Sequence, residues 1–312
     1  MHRIFRYSPR NMSNRHSEQK AFNFSVYTTI KSGYPVFSFE YSIESSLFNK
    51  LRDEFPLRIV QETENTSFFA EAHSNDNTTR LSDLIRHSKV WSDFVEQIVH
   101  GSFRSELVKF LLRSSSAWTT PFDFIKLLLR LATSKTFTTI SLHIGVRGYH
   151  LAPHTDKADK IAALIIYMGS TKDAGTAHGG TTFYFPKSRQ DGMRYLREIS
   201  GMEHGFWRYC PSALLPITSA FLPRTYSSAN TTNLGNNERL NKFYELHEPF
   251  FTSQFQPNTS VLFFKDQLTW HEVDLSKFPS HDERRSILIN VYRSPNHLRR
   301  VVLKTIKLFK RD

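Results

Sequence analysis

The sequence predicts a mostly β protein with α-helical support: a double-stranded β-helix (jelly roll) preceded by an N-terminal helical layer. Short apolar or alternating runs separated by turns recur from residue 138 onward, which is typical of such a fold. The chain holds 27 Phe against 12 Gly, and aromatic side chains suit a pleated, half-buried surface. With 312 residues it is long enough to bury one large core and a helical layer beside it.

The N-terminal half supplies an arm and a support region. Residues 1–20 are polar and basic without a hydrophobic period, which predicts a flexible arm. Residues 21–137 form the predicted α/β support region. Its hydrophobic patterns predict, in chain order, a strand over 35–41 and helices over 42–55, 81–99 and 102–133.

The predicted β-helix core follows over residues 138–295, where the strand-like runs are 138–144, 161–168, 181–185, 261–264 and 287–292. Residues 187–260 interrupt this series with many polar residues. A structureless loop of that length is rare in a compact domain, so this segment is predicted to hold local structure and to form a lid or substrate wall. A surface insertion away from any site is the alternative. Residues 296–312 predict a basic amphipathic tail.

The charge distribution limits the partners. Of the net charge of +12, residues 1–20 carry +4 and residues 297–312 carry +5. Only +3 remains for the 276 residues between them, which argues against a broad nucleic-acid groove. The tail places basic and apolar residues on different helix faces, so it either packs on the domain or makes weak contact with a membrane surface.

The single cysteine, Cys210, excludes an internal disulfide and fits a reducing, cytoplasmic location. The first residues lack the apolar run of a secretory signal. No stretch reaches the roughly 20 apolar residues of a membrane span. These features leave the oligomeric state open.

The chemistry of the chain centres on His154-Thr155-Asp156. An imidazole and a carboxylate two residues apart on an extended segment point to the same side and can bind one metal ion. His271, far downstream, is the candidate third ligand. Two imidazoles and one carboxylate on one face of a metal leave its other positions open, as in non-haem Fe(II) oxygenases. Zinc accepts the same ligand types, so the ligands alone do not select iron.

The order of these motifs resembles the 2-oxoglutarate- and Fe(II)-dependent dioxygenase superfamily, especially its prolyl-4-hydroxylase-like branch. The resemblance covers roughly residues 139–294: the His-x-Asp segment, an apolar strand, the Gly179-Gly180 turn, an aromatic strand and the later strands with His271 and Arg284. It implies the jelly roll and the cofactors Fe(II), 2-oxoglutarate and O2, with ascorbate optional. The 115 residues between Asp156 and His271 are many for this branch, so the resemblance does not transfer a substrate.

The resemblance also implies which residues hold 2-oxoglutarate. Arg284-Arg285-Ser286 is similar to the superfamily's Arg-x-Ser pattern, in which the guanidinium binds the second carboxylate of the keto acid and the hydroxyl assists. A one-residue shift of register would bring in Arg285 in its place. Tyr167 looks like the superfamily's tyrosine that contacts the same carboxylate, and the alternative is an ordinary core aromatic. Lys160 is expected to be a solvated turn residue.

On this basis the chain is expected to be an Fe(II)- and 2-oxoglutarate-dependent dioxygenase. It would hydroxylate a C–H bond of a small metabolite, a sugar or an amino-acid or peptidyl group, and release succinate and CO2. Asp156 favours hydroxylation, because halogenating relatives have a small residue at that position. No catalytic residue is assigned beyond the metal ligands. The alternatives are a non-catalytic jelly-roll binding module and a nucleic-acid-directed oxygenase.

Overall fold

The structure is a computed structural model that describes residues 22, 24, 27–29, 36–56, 68–71, 84–99, 101–114, 136–156, 160–169, 178–188, 190–192, 195, 236–265, 270–280 and 282–293. The predicted arm, the basic tail and Cys210 lie outside the described residues. Among the residues that are described, no helix combines the length and the apolar character needed to cross a bilayer.

Two antiparallel sheets make up the fold. In chain order the strands are β1 (Thr28–Thr29), β2 (Val36–Phe39), β3 (Phe68–Glu71), β4 (Thr136–Gly145), β5 (His150–His154), β6 (Lys160–Gly169), β7 (Thr182–Pro186), β8 (His247–Thr252), β9 (Ser260–Phe264), β10 (Trp270–Asp274) and β11 (Arg284–Arg293). The major sheet has the order β1-β2-β9-β6-β11-β4-β3, and the minor sheet has the order β5-β10-β7-β8. This two-sheet arrangement confirms the predicted mostly β, jelly-roll class.

One hydrophobic core lies between the two sheets. Because side chains alternate along a strand, β6 turns Ala163, Ile165 and Tyr167 toward the minor sheet, where they join a buried cluster with Phe183 and Val273. The same alternation places polar residues of the long strands β4 and β11 on this inner face, including Ser141, His143, Arg284, Ser286 and Asn290. The inner face of the major sheet is therefore apolar in the middle and polar along one side.

A second core lies between the major sheet and the helices. The helices on this side are α1 (Ser45–Asp53), α2 (Lys89–Val99) and α3 (Phe103–Arg113). Their buried aromatic residues, among them Phe48, Trp91 and Phe110, pack against the outward-facing Leu164 and Ile287. The predicted N-terminal helical layer is therefore present and supports the back of the sheet.

The segment 187–260 contributes to the jelly roll itself. Its strand β8 pairs with β7 in the minor sheet, and its helix α4 (Asn236–Leu246) covers the outer face of that sheet. The Phe243 ring lies 5.2 Å from the Tyr184 ring and 5.3 Å from the Trp270 ring, measured between centroids. The predicted insertion is thus shorter than 187–260. Residues 196–235 lie outside the described residues, and a lid there stays a prediction.

Candidate metal centre

The minor sheet brings the three predicted ligands together. His154 ends β5, and the antiparallel pairing of β5 with β10 sets it directly opposite His271. Their ring centroids are 4.3 Å apart. With Asp156 two residues beyond His154, one ligand atom from each residue lies within 4.8 Å of the others. His154 and His271, 117 positions apart in the chain, therefore meet because two neighbouring strands are in register.

The electrostatics of His154 and Asp156 suit metal binding. His154 Nδ1 bonds the Ala152 carbonyl at 2.9 Å, which leaves Nε2 for a ligand, and burial lowers the pKa of this imidazole. Burial alone would raise the pKa of Asp156, but the Lys160 ammonium holds it below its usual range. Neutral imidazoles and an ionised carboxylate are the forms that bind a metal.

One atom of the site lacks a partner. Asp156 Oδ2 is buried and makes no hydrogen bond among the described residues, although a buried carboxylate oxygen without a partner is costly. A divalent cation bound by this oxygen and the two imidazoles would satisfy it. The donor set of two nitrogens and one oxygen, without a thiolate, fits non-haem Fe(II). The residues present therefore fit the metal that the resemblance implies.

Arg284 lies on the inner face and Arg285 does not. The Arg284 guanidinium is buried; its Nε donates to the Gly179 carbonyl at 2.5 Å and its Nη1 to Ser286 Oγ at 3.2 Å. Arg285 instead pairs with Glu283 at 2.9 Å. The strand register therefore presents Arg284 and Ser286 to the space between the sheets, as the Arg-x-Ser pattern predicts.

The Tyr167 ring packs against the Arg284 guanidinium. The Arg284 guanidinium carbon lies 5.2 Å from the centroid of the Tyr167 ring, and the phenol hydroxyl bonds Thr181 Oγ1 at 2.9 Å and Ser253 Oγ at 2.5 Å. Tyr167 is fully buried, so its ring acts both as a core aromatic and as a platform for the guanidinium. No local pattern in the sequence indicates Ser253, which follows β8 and is distant from Tyr167 in the chain.

The Gly179-Gly180 turn packs beside Arg284. A Cβ at position 180 would lie 1.9 Å from the Ser253 carbonyl oxygen, so only glycine fits there without displacing backbone. The close approach holds the Gly179 carbonyl, the acceptor of the Arg284 Nε bond, and Thr181, whose backbone N–H donates to Ser253 Oγ at 2.7 Å. The motif thus fixes the backbone that accepts the hydrogen bond of Arg284.

Lys160 corrects one sequence expectation. It is buried rather than a solvated turn residue, and its Nζ lies 2.6 Å from Asp156 Oδ1. The reason is a β-bulge: against β11, the pairing passes from Ala162 to Lys160 and skips Ile161. Ile161 and Ala162 both join the helix-side core, and the strand alternation beyond them is inverted. Lys160 is thereby turned inward.

Glu272, a buried carboxylate next to His271 in the chain, was also not predicted from the sequence. Glu272 faces away from the metal site and bonds His150 Nε2 at 2.6 Å, the Tyr244 hydroxyl at 2.7 Å and the Tyr184 hydroxyl. Burial and the bond to Glu272 raise the pKa of Tyr184. These contacts tie β5, β7 and α4 to the residue next to a candidate ligand, and they depend on tertiary packing that no local pattern reveals.

Comparisons with known proteins give matches by structure alone. Neither protein-family models nor curated proteins match the sequence. A prolyl-4-hydroxylase from Pseudomonas putida matches at 10% identity and a TM-score of 0.38, over 84% of this chain and 94% of its own. The non-heme alpha ketoglutarate dependent carbocyclase SnoK from nogalamycin biosynthesis matches at 9% identity and a TM-score of 0.41, over 86% of both chains.

EvdO2 from Micromonospora carbonacea var. aurantiaca, in complex with 2-oxoglutarate, matches at 10% identity and a TM-score of 0.36, over 83% of this chain and 87% of its own. A further match, from Burkholderia pseudomallei, is described as an oxidoreductase of the 2OG-Fe(II) oxygenase family, the superfamily that the sequence resembles. Scores below 0.5 do not transfer function, and we infer the function of this chain from its own side chains.

Proposed function

We propose that this protein is an Fe(II)- and 2-oxoglutarate-dependent dioxygenase that hydroxylates a C–H bond and releases succinate and CO2. The observation that carries the proposal is the meeting of His154, Asp156 and His271 within 4.8 Å, inside a jelly roll that also presents Arg284 on its inner face. Iron bound by the three residues would supply the activation of dioxygen and the oxidative decarboxylation of the keto acid.

The residues of this chain then have separate tasks. His154, Asp156 and His271 would hold the ion and leave its remaining positions open. Arg284 would bind the distal carboxylate of 2-oxoglutarate, with Ser286 donating beside it and the Tyr167 ring holding the guanidinium in place. The apolar residues between the sheets would exclude water from the reacting groups.

Arg284 has the donors that this task requires. A guanidinium carries five N–H groups, of which one is used on Gly179 and one on Ser286. Three remain for the two oxygens of a carboxylate. His143, beside Ser141 at 2.9 Å, is kept neutral because burial, with Arg284 and Lys160 nearby, lowers its pKa to about 3. It therefore adds no third cation to the pocket.

The substrate would be a small molecule or a peptidyl group, in keeping with a chain whose positive charge is concentrated in its two ends. The single cysteine fits a cytoplasmic setting.

The test measures binding before catalysis. The purified protein, loaded anaerobically with Fe(II), should bind one 2-oxoglutarate. His154→Ala and Asp156→Ala should bind the metal more than about 100-fold more weakly, since even the loss of a residue that only hydrogen-bonds a metal ligand lowers metal affinity by about 10–100-fold. Succinate formation is then followed in cell extract, together with products sixteen mass units heavier. Failure of the iron-loaded wild type to bind 2-oxoglutarate would refute the proposal and favour a non-catalytic binding module.

A further inference from the structure

The pair formed by Lys160 and Asp156 has no evident structural purpose. Both side chains are largely buried, with exposed fractions of 9% and 10%, and their 2.6 Å contact stands at the candidate metal centre. Removing an ammonium and a carboxylate from water costs more than a buried pair usually returns, so such pairs are poor devices for stability alone. A functional reason for placing Lys160 here is therefore required.

The two carboxylate oxygens of Asp156 lie in different environments. Asp156 Oδ1 accepts from Lys160 Nζ, whereas Oδ2 is buried without a hydrogen-bond partner. Lys160 itself is fixed by its strand: the β-bulge at Ile161 turns it inward, and its Nζ lies 5.8 Å from the centroid of the Tyr292 ring. The ammonium is thus held in place from a rigid element, which is what a residue that orients a ligand needs.

We propose that Lys160 is a positioning residue that retains Oδ1 of Asp156 and restricts the carboxylate to binding the metal through Oδ2 alone. A carboxylate bound through one oxygen occupies one coordination position in place of two, which keeps a position available for the co-substrates. This inference rests on the proposed function, because it requires a metal at His154, Asp156 and His271.

A simpler role makes the opposite prediction. If Lys160 only neutralises Asp156 until a metal arrives, it competes with the metal and repels it, and its removal strengthens metal binding. If Lys160 positions Asp156, its removal frees the carboxylate to rotate and weakens metal binding, by the 10–100-fold typical of residues behind a metal ligand. The sign of the change in affinity therefore separates the two roles.

The experiment uses the 312-residue chain and Co(II) alone as the probe. Calorimetry gives the affinity, and the visible absorption spectrum of bound Co(II) reports its coordination. Lys160→Met is expected to bind Co(II) about 10–100-fold more weakly with an altered spectrum, while Lys160→Arg, which keeps a cationic donor, retains the wild-type spectrum. Lys109→Met is the matched control, because Lys109 also pairs with an acid, Glu106, at 2.8 Å but is 60% exposed.

Equal or tighter Co(II) binding by Lys160→Met would overturn the inference. If that variant does not fold, Lys160→Leu, which also lacks a donor, replaces it, with the same expected weakening and the same overturning result. Failure of the wild type itself to bind Co(II), or unchanged binding by His154→Ala, would instead defeat the metal site and with it the proposed function. A defect confined to Lys160 variants is thus distinguishable from a failure of the whole site.

Discussion

Replacement of Arg284 should strongly weaken the binding of 2-oxoglutarate, whereas replacement of its neighbour Arg285 should not. Arg284 is 6% exposed and turned inward, while Arg285 pairs with Glu283 on the opposite face of the same strand. The matched substitutions Arg284→Met and Arg285→Met remove the same charge from adjacent positions. The two variants differ only in the face of β11 from which the positive charge is removed.

The expected magnitude follows from burial and from the number of donors. With three N–H groups left after its bonds to Gly179 and Ser286, Arg284 can bind a carboxylate through two points in a space shielded from water. Removing one partner of a buried, hydrogen-bonded charge pair costs about 2–5 kcal/mol. That corresponds to about 30-fold to about 4000-fold weaker binding of 2-oxoglutarate. Arg284→Lys should lie between, because lysine keeps the charge but loses the planar fork.

Isothermal titration of 2-oxoglutarate into the metal-loaded proteins measures these affinities, and thermal unfolding verifies that each variant is folded. Arg285→Met should bind within about threefold of the wild type, as expected for a charge that is partly exposed and away from the ligand. Wild-type affinity in Arg284→Met, or equal losses in both variants, would refute the assignment of the inner face of β11 as the keto-acid pocket.

Three further predictions concern the framework of the site. Asn290 is buried on the inner face, and its Oδ1 has no hydrogen-bond partner among the described residues. Asn290→Leu should therefore raise the free energy of unfolding, measured by urea titration, by about 1 kcal/mol. A decrease in that free energy would show that the amide has a structural partner. Asn258 bonds the backbone N–H and carbonyl of Ile43 at 3.0 and 2.7 Å, so Asn258→Ala should cost about 2 kcal/mol, and an unchanged midpoint would contradict this role. Burial and nearby cations lower the pKa of His143 to about 3 in the folded protein. As the pH falls from about 6.5 toward 3, the unfolded chain therefore binds a proton at this residue before the folded protein does. The free energy of unfolding decreases over this range by up to about 1.4 kcal/mol per pH unit. His143→Gln should flatten this acid limb of the stability curve, the exposed control His87→Gln should leave it as in the wild type, and equal curves for wild type and His143→Gln would refute the effect.

Much of the fold and of the site could be predicted because strand residues alternate. The same period of two predicts that His154 and Asp156 share one side and that Arg284 and Ser286 share another, and the structure brings together the members of each pair. The long apolar runs at 161–168 and 287–292 are the central strands β6 and β11 of the major sheet. Local periodicity therefore carried most of the information.

Residues that depend on an irregularity or on distant packing could not be predicted. Strict alternation along β6 puts Lys160 on the helix side with Ala162 and Leu164, and only the bulge at Ile161 reverses it. Ser253 reaches Tyr167 and Thr181 from a loop more than seventy residues away. Strand β8, inside the segment predicted as an insertion, is too polar and mixed to stand out, and its pairing with β7 decides its conformation.

The central claim is that one ferrous ion binds where β5 and β10 meet. Crystals grown anaerobically with Fe(II) and 2-oxoglutarate, with data collected on both sides of the iron absorption edge, test it most directly. A single anomalous peak is predicted within bonding distance of His154, Asp156 and His271, with the distal carboxylate of the keto acid against Arg284. A peak elsewhere, or none in a protein that retains its fold, would contradict the account.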